Sequence, residues 1–113
     1  MVKIDSTSFG EIVIDKKTYY SDMIVWWDGK TEYRNKKHVI DMSEFVNIMK
    51  RKPDTIIIGT GQTGILKLLP EVRQAAEDKK VKIFIEQSPK AIEIFNGFVC
   101  SGKKVVAVIH TTC

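Results

Sequence analysis

Thr55-Ile56-Ile57-Ile58 is an unbroken β-branched run, and it ends directly in Gly59-Thr60-Gly61-Gln62-Thr63-Gly64. A short apolar run of this kind suits a strand buried on both faces, which requires cover on each side of its sheet. Val105 to Ile109, near the end of the chain, is a second wholly apolar run. Between them the pattern alternates. Pro70-Glu71 opens a helix with Pro in the first turn and an acid beside it, and Val72, Ala75 and Ala76 form its buried side. Val81 to Glu86 reads as a strand. Ser88-Pro89 reads as a cap and first turn, followed by Ala91, Ile92, Phe95 and Val99 at helical spacing. The order β-α-β-α-β predicts a parallel sheet covered by helices.

The first forty residues read differently. Phe9 to Ile14, Thr18 to Tyr20, Met23 to Trp27 and Thr31 to Arg34 are strand candidates. Asp15-Lys16-Lys17 is a polar turn, and Asp28-Gly29 is a strong hairpin signal. They predict an antiparallel meander that adds a further β layer to the same core. Asp41-Met42-Ser43-Glu44 is a capping-box-like helix start. Met42, Phe45, Val46 and Met49 give that helix an apolar stripe, and Pro53 stops it. With 113 residues, the expectation is one domain over 1–113 with an α/β fold in three layers.

Composition excludes several classes. No apolar run approaches the ~20 residues of a membrane helix, and the first residues have no signal-peptide layout. A cytoplasmic protein is expected, with Cys100 and Cys113 reduced. The net charge is +4 and the pI about 9.1. Lys30, Arg34, Lys36 and Lys37 form one basic cluster and Lys50-Arg51-Lys52 another, near Trp26, Trp27 and Tyr33. The clusters read as a solvated hairpin and a helix end that complements the dipole. They fall short of a nucleic-acid footprint. Of Trp26 and Trp27, alternation puts one in the core and leaves the other as a cover or protein-contact residue.

The candidate site is the glycine loop. G-x-G-x-x-G after a strand can present backbone N–H groups to an anion, and Glu86 at the next strand end would suit a ribose. The helix start at Pro70 comes late for a dinucleotide site, and the Lys-Ser/Thr of a P-loop is absent. A tight turn also accounts for the glycines. His110-Thr111-Thr112-Cys113 follows the carboxyl end of the last strand, the edge where open α/β sheets bind ligands. Gly59, Thr60, Gly61, Gln62, Thr63, Gly64, His110 and Cys113 are therefore the ligand-binding candidates. A thiolate pair of His110 with Cys113 is one chemical option. Metal ligation by these with His38 or Cys100 lacks any C-x-x-C spacing. Asp15 and Asp22 read as turn chemistry. No catalytic residue, metal or cofactor is assigned.

Phe9 to Asp15, Tyr19, Asp22-Met23-Ile24, Trp27, Arg34 and His38-Val39-Ile40 resemble the N-terminal signature of the Mth-like domain family. Pro53 to Gly64 with Leu69-Pro70-Glu71-Val72 resembles its centre, and Ala91 to Asn96 with Ile109 to Cys113 its end. The resemblance spans nearly the whole chain. It implies a three-layer α/β fold, with a central mostly parallel sheet of about four strands, helices on it and a β layer beside it, and no established enzymatic activity. One eukaryotic branch is implicated in respiratory complex assembly. Two functions follow as expectations. The first is a non-enzymatic binding or assembly-type protein holding a protein partner. The second is an anion or small-ligand binding protein, enzymatic or not, that uses 59–64 and the His-Thr-Thr-Cys tail.

Overall fold

The computed structural model describes residues 1–35 and 37–112. Its elements are, in chain order, β1 (Ile4–Ser8), β2 (Glu11–Ile14), β3 (Lys17–Tyr19), β4 (Asp22–Trp26), β5 (Thr31–Arg34), β6 (Val39–Ile40) and α1 (Met42–Met49). They continue with β7 (Thr55–Thr60), β8 (Lys67–Leu68), α2 (Pro70–Asp78), β9 (Lys82–Glu86), α3 (Ser88–Cys100) and β10 (Val105–His110). The two apolar runs become β7 and β10, paired in parallel at the centre of a five-stranded sheet of order β5-β4-β10-β7-β9. β9 adds in parallel on β7, and β4 and β5 are antiparallel.

The three-layer α/β arrangement is as expected, with β1-β2-β3 as the separate antiparallel layer. The Asp28-Gly29 hairpin, expected in that layer, extends the central sheet instead. The reason is in its residues: Met23 and Val25 pack on one face of β4 and Trp26 on the other, so this strand needs cover on both sides. One face of the sheet is covered by α3 and β1-β2-β3, with Ile57, Ala107, Ile109 and Phe95 at its centre. The side-chain amide of Asn96 ties α3 to β1 by bonding both the N–H and the C=O of Ile4. The opposite face is covered by α1 and α2, with Phe45, Ile48, Val72 and Val108 packed there.

Asp41 caps α1 by accepting from the Glu44 N–H at 2.9 Å. The buried side of α1 is Phe45 with Ile48, whereas Val46, expected in the apolar stripe, is 53% exposed and Met42 is also exposed. The late start of α2 has a cause. Leu66 is buried, and Lys67-Leu68 first pairs in parallel with Val39-Ile40 before Pro70 begins the helix. Among the described residues no helix is long and apolar enough to cross a membrane.

Candidate functional site

Strand register places four polar residues in one row across the sheet. Thr60 is the partner of His110, His110 follows the Ile109–Met23 pair and so lies beside Asp22, and Asp22 is the partner of Arg34. Period-2 alternation aims all four at the α1–α2 side. All are buried, with His110 at 0%, Asp22 at 3% and Arg34 at 5% exposure. Such groups are retained in a core only when paired and hydrogen-bonded.

Asp22 sits at the centre of the row. Its Oδ2 lies 2.6 Å from Nδ1 of His110 and 3.3 Å from Nη1 of Arg34. Its Oδ1 accepts from the backbone N–H and the hydroxyl of Thr111. Arg34 forks onto Glu44 of α1, Nε to Oε2 at 2.6 Å and Nη2 to Oε1 at 3.0 Å, and also donates to the carbonyls of Lys37 and Val39. An Asp22 carboxylate fixes the proton of His110 on Nδ1 and leaves Nε2 as the ring's free nitrogen. That nitrogen is buried with no partner among the described residues, and the exposed His38 ring packs edge-on over His110 at 5.3 Å.

The glycine loop and the C-terminal segment are direct neighbours, because Thr60 and His110 share a register position. Ser88 fills the space between them. Its hydroxyl donates to the His110 carbonyl at 2.6 Å and accepts from the Gly61 N–H at 3.0 Å, and its own N–H donates to the Gly61 carbonyl. A Cβ on Gly59 would lie 2.8 Å from Ser88 Oγ and 3.0 Å from Ile109 Cδ1, so glycine there permits close packing. Gly61 and Gly64 take positive φ, 102° and 85°, as the turn requires. The Thr60 hydroxyl donates to the Glu86 carbonyl. Thr63 is exposed and Gln62 half-buried. The amide nitrogen of Gln62 and the hydroxyl of Thr112 are buried without a partner among the described residues. Cys113 lies outside the described residues. The loop leads into β8, not into a helix, which removes the dinucleotide geometry.

Sequence reasoning missed Asp22, Glu44 and Ser88, and took Arg34 for a solvated cation. Asp22 reads as turn chemistry in the sequence, and a two-residue Asp28-Gly29 turn would set it opposite 35; the observed turn spans Trp27 to Gly29 and puts it opposite Arg34. Ser88 was expected to cap α3; the N-cap is Gln87, and the Ser88 hydroxyl crosses to β10. Among the described residues no group of three His, Cys, Asp or Glu side chains is arranged to hold a metal ion.

A concavity of about 470 Å³ opens between the β4–β5 hairpin and α1, lined by Trp26, Lys30, Tyr33, Lys37, Lys50 and Arg51 and bordered by Arg34 and Glu44 at the end of the polar row. Arg51, expected to serve the helix dipole, stacks instead over Trp26 and Trp27 at 4.5 and 4.9 Å from the ring centroids and pairs with Asp28. The hydrogen bond from Arg51, with a second from the Lys30 N–H, holds the Asp28 carboxyl below the usual carboxylate range. Trp26 is the core indole, donating to Glu32, and Trp27 is half-buried.

Fold and site together define a three-layer α/β domain with a closed polar row and an open basic groove. The chain belongs to the family described as "Protein of unknown function (DUF498/DUF598)", whose model matches residues 4–110. This is the Mth-like domain family that the sequence resembles. The chain is similar to the conserved hypothetical protein PH1505 from Pyrococcus horikoshii OT3, 28% identical over 98% of this chain and 99% of that one, with a TM-score of 0.88. It is similar to MT938, 25% identical over the whole of both chains, with a TM-score of 0.84. It also shares its fold with a protein from Bartonella henselae described as an outer membrane protein, 17% identical over 99% of this chain and 96% of that one, TM-score 0.84.

Proposed function

We propose that the protein is a non-enzymatic binding domain of assembly type, which holds the acidic surface of a protein partner between β5 and α1. The observation that carries this reading is the groove itself, an open concavity of about 470 Å³ with lysines at 30, 37 and 50 and an indole beneath a stacked arginine. Aromatic and arginine side chains are the usual anchors of protein interfaces, and a basic lining steers acidic partners toward them. The glycine loop supports the same reading from the other side, because its Gly61 N–H is engaged by Ser88 and is not free for an anion. The His110–Asp22 pair is buried and so is poorly placed to meet a substrate. An exposed free thiol at Cys100 fits a reducing compartment, so the reading includes a cytoplasmic location.

The test is tryptophan fluorescence during titration with poly-L-glutamate. Binding that shifts the emission, weakens with added salt and is lost in a Lys30→Glu/Lys50→Glu double variant is the expected result. An unchanged spectrum, or equal binding by the double variant, overturns it.

The unpartnered polar atoms of Gln62, His110 and Thr112 support a second reading, a small anion or ligand held by 59–64 and the C-terminal residues. A rise in Tm with inorganic phosphate that is lost in a Gly61→Val variant would favour it over the first.

A further inference from the structure

The groove is bounded on one side by an unpaired sheet edge. β5 is the outermost strand of the central sheet, next to β4 alone. Its hydrogen-bonding phase follows from the hairpin. The Trp26 N–H donates to the Lys30 carbonyl at 2.9 Å, so Trp26 and Lys30 form a hydrogen-bonded pair. In an antiparallel ladder such pairs alternate with non-bonded ones. Glu32 and Arg34 therefore bond to β4, while the backbone groups of Thr31 and Tyr33 point outward. Among the described residues no turn or loop backbone bonds to Thr31 or Tyr33.

The two sides of that edge differ in chemistry. Lys30, Glu32 and Arg34 line the groove toward α1, where Lys50 and Arg51 join them. Arg34 is already paired with Asp22 and Glu44, Arg51 with Asp28 and Lys37 with Asp41, so Lys30 and Lys50 supply the uncompensated cations, set against the one carboxylate of Glu32, which accepts from the Trp26 indole. Tyr33, which also borders the groove, turns its ring to the other side of the strand, where it is 72% exposed and meets the Tyr19 ring edge-on at 6.1 Å. A strand laid against β5 would alternate its side chains between a cationic groove and an aromatic shelf.

We infer that β5 accepts an extended acidic segment of a partner as an added strand, with carboxylates at every second position and apolar residues between them. This rests on the groove reading given above and adds to it the partner's backbone conformation and sequence pattern. Main-chain bonds to Thr31 and Tyr33 supply part of the affinity, and the alternating side chains supply selectivity. A second copy of this chain is the less suitable occupant: two β5 edges brought together would set Lys30 and its neighbouring lysines against their own kind, which is the usual protection of an edge strand.

The probe is a blocked eight-residue peptide of alternating glutamate and valine, titrated into ¹⁵N-labelled protein. The expected result is shifts of the Thr31 and Tyr33 amides, inter-strand NOEs from the peptide backbone to both residues, and protection of alternate peptide amides from exchange. N-methylation of the peptide on its β5-facing amides is expected to weaken binding about tenfold or more. Tyr33→Pro, which removes an outward N–H and no bond to β4, is expected to do the same. Equal affinity of the N-methylated peptide, or peptide binding without any change at Thr31 and Tyr33, overturns the strand inference. If poly-L-glutamate still reports on the groove in that case, the groove reading stands alone. If neither probe binds, both fall. A concentration-dependent dimer that protects the Thr31 and Tyr33 amides without peptide also overturns the inference, because a second copy then occupies the edge.

Discussion

Asp22 receives His110, Arg34, the Thr111 hydroxyl and the Thr111 N–H on one buried carboxylate. Removing this carboxylate leaves the His110 Nδ1–H, the Thr111 N–H and the Thr111 hydroxyl buried without their acceptor and breaks one arm of the ionic cluster, while Arg34 keeps Glu44. Asp22→Ala is therefore expected to cost about 3–5 kcal/mol, read from denaturant unfolding. Gly59→Ala is expected to cost about 1–3 kcal/mol, because its Cβ meets Ser88 and Ile109 in a packed interior. Ser88→Ala is expected to cost about 1–3 kcal/mol by leaving the buried Gly61 N–H without its acceptor. A neutral result for Gly59→Ala would mean that the loop is not held as described. These residues divide by how far sequence could see them. Gly59, Gly61 and His110 were legible as types that do something unusual at a strand end. The partnership of Asp22 with Arg34 depends on a three-residue turn at Trp27 to Gly29, one residue longer than the Asp-Gly signal alone specifies. The Ser88 bond was not legible, since serine before Pro-containing helix starts reads as a cap and only the tertiary fold brings it to β10.

The elements were legible where periodicity was strong. β7, β10, α2 and α3 came directly from apolar runs and helix-start chemistry. α1 was legible at its Asp41 cap, but not in which face it buries, because Met42 and Val46 are as apolar as Phe45 and Ile48. Phe45→Ala, at the centre of the buried side, is expected to cost about 3–5 kcal/mol, well above any effect of Val46→Ala, by the same unfolding measurement. β6 and β8, two residues each, carry too little pattern to be read. The hairpin's place in the central sheet depends on non-local pairing with β10, about eighty positions away in sequence. The Arg51–Asp28 pair links this hairpin to the end of α1. The Asp28 carboxyl is held below its ordinary value of 3.8, so its stabilising contribution is complete above that range and is lost as the pH falls through the lower folded-state value. The Tm difference between wild type and Asp28→Asn is expected to be constant near neutrality and to close below pH 3.8. A difference that persists unchanged in acid would contradict the link.

At the scale of the whole molecule the domain presents two different regions. At the carboxyl edge of β7 and β10, polar groups are turned inward and bound mainly to one another. Between β5 and α1, lysines, an arginine stacked over a buried indole and an unpaired strand edge face outward. The three-layer class and the family were readable from the sequence as a whole. The groove was readable only as two basic clusters near aromatic residues, because the hairpin and α1 meet through tertiary packing. The measurement that tests this division most directly is an amide-shift map of the intact protein titrated with poly-L-glutamate. The account expects the perturbed amides to cluster in residues 30–34 and 43–51, with 59–64 and 110–112 unmoved. Perturbation centred on 59–64 and 110–112, with β5 and α1 unmoved, would contradict it.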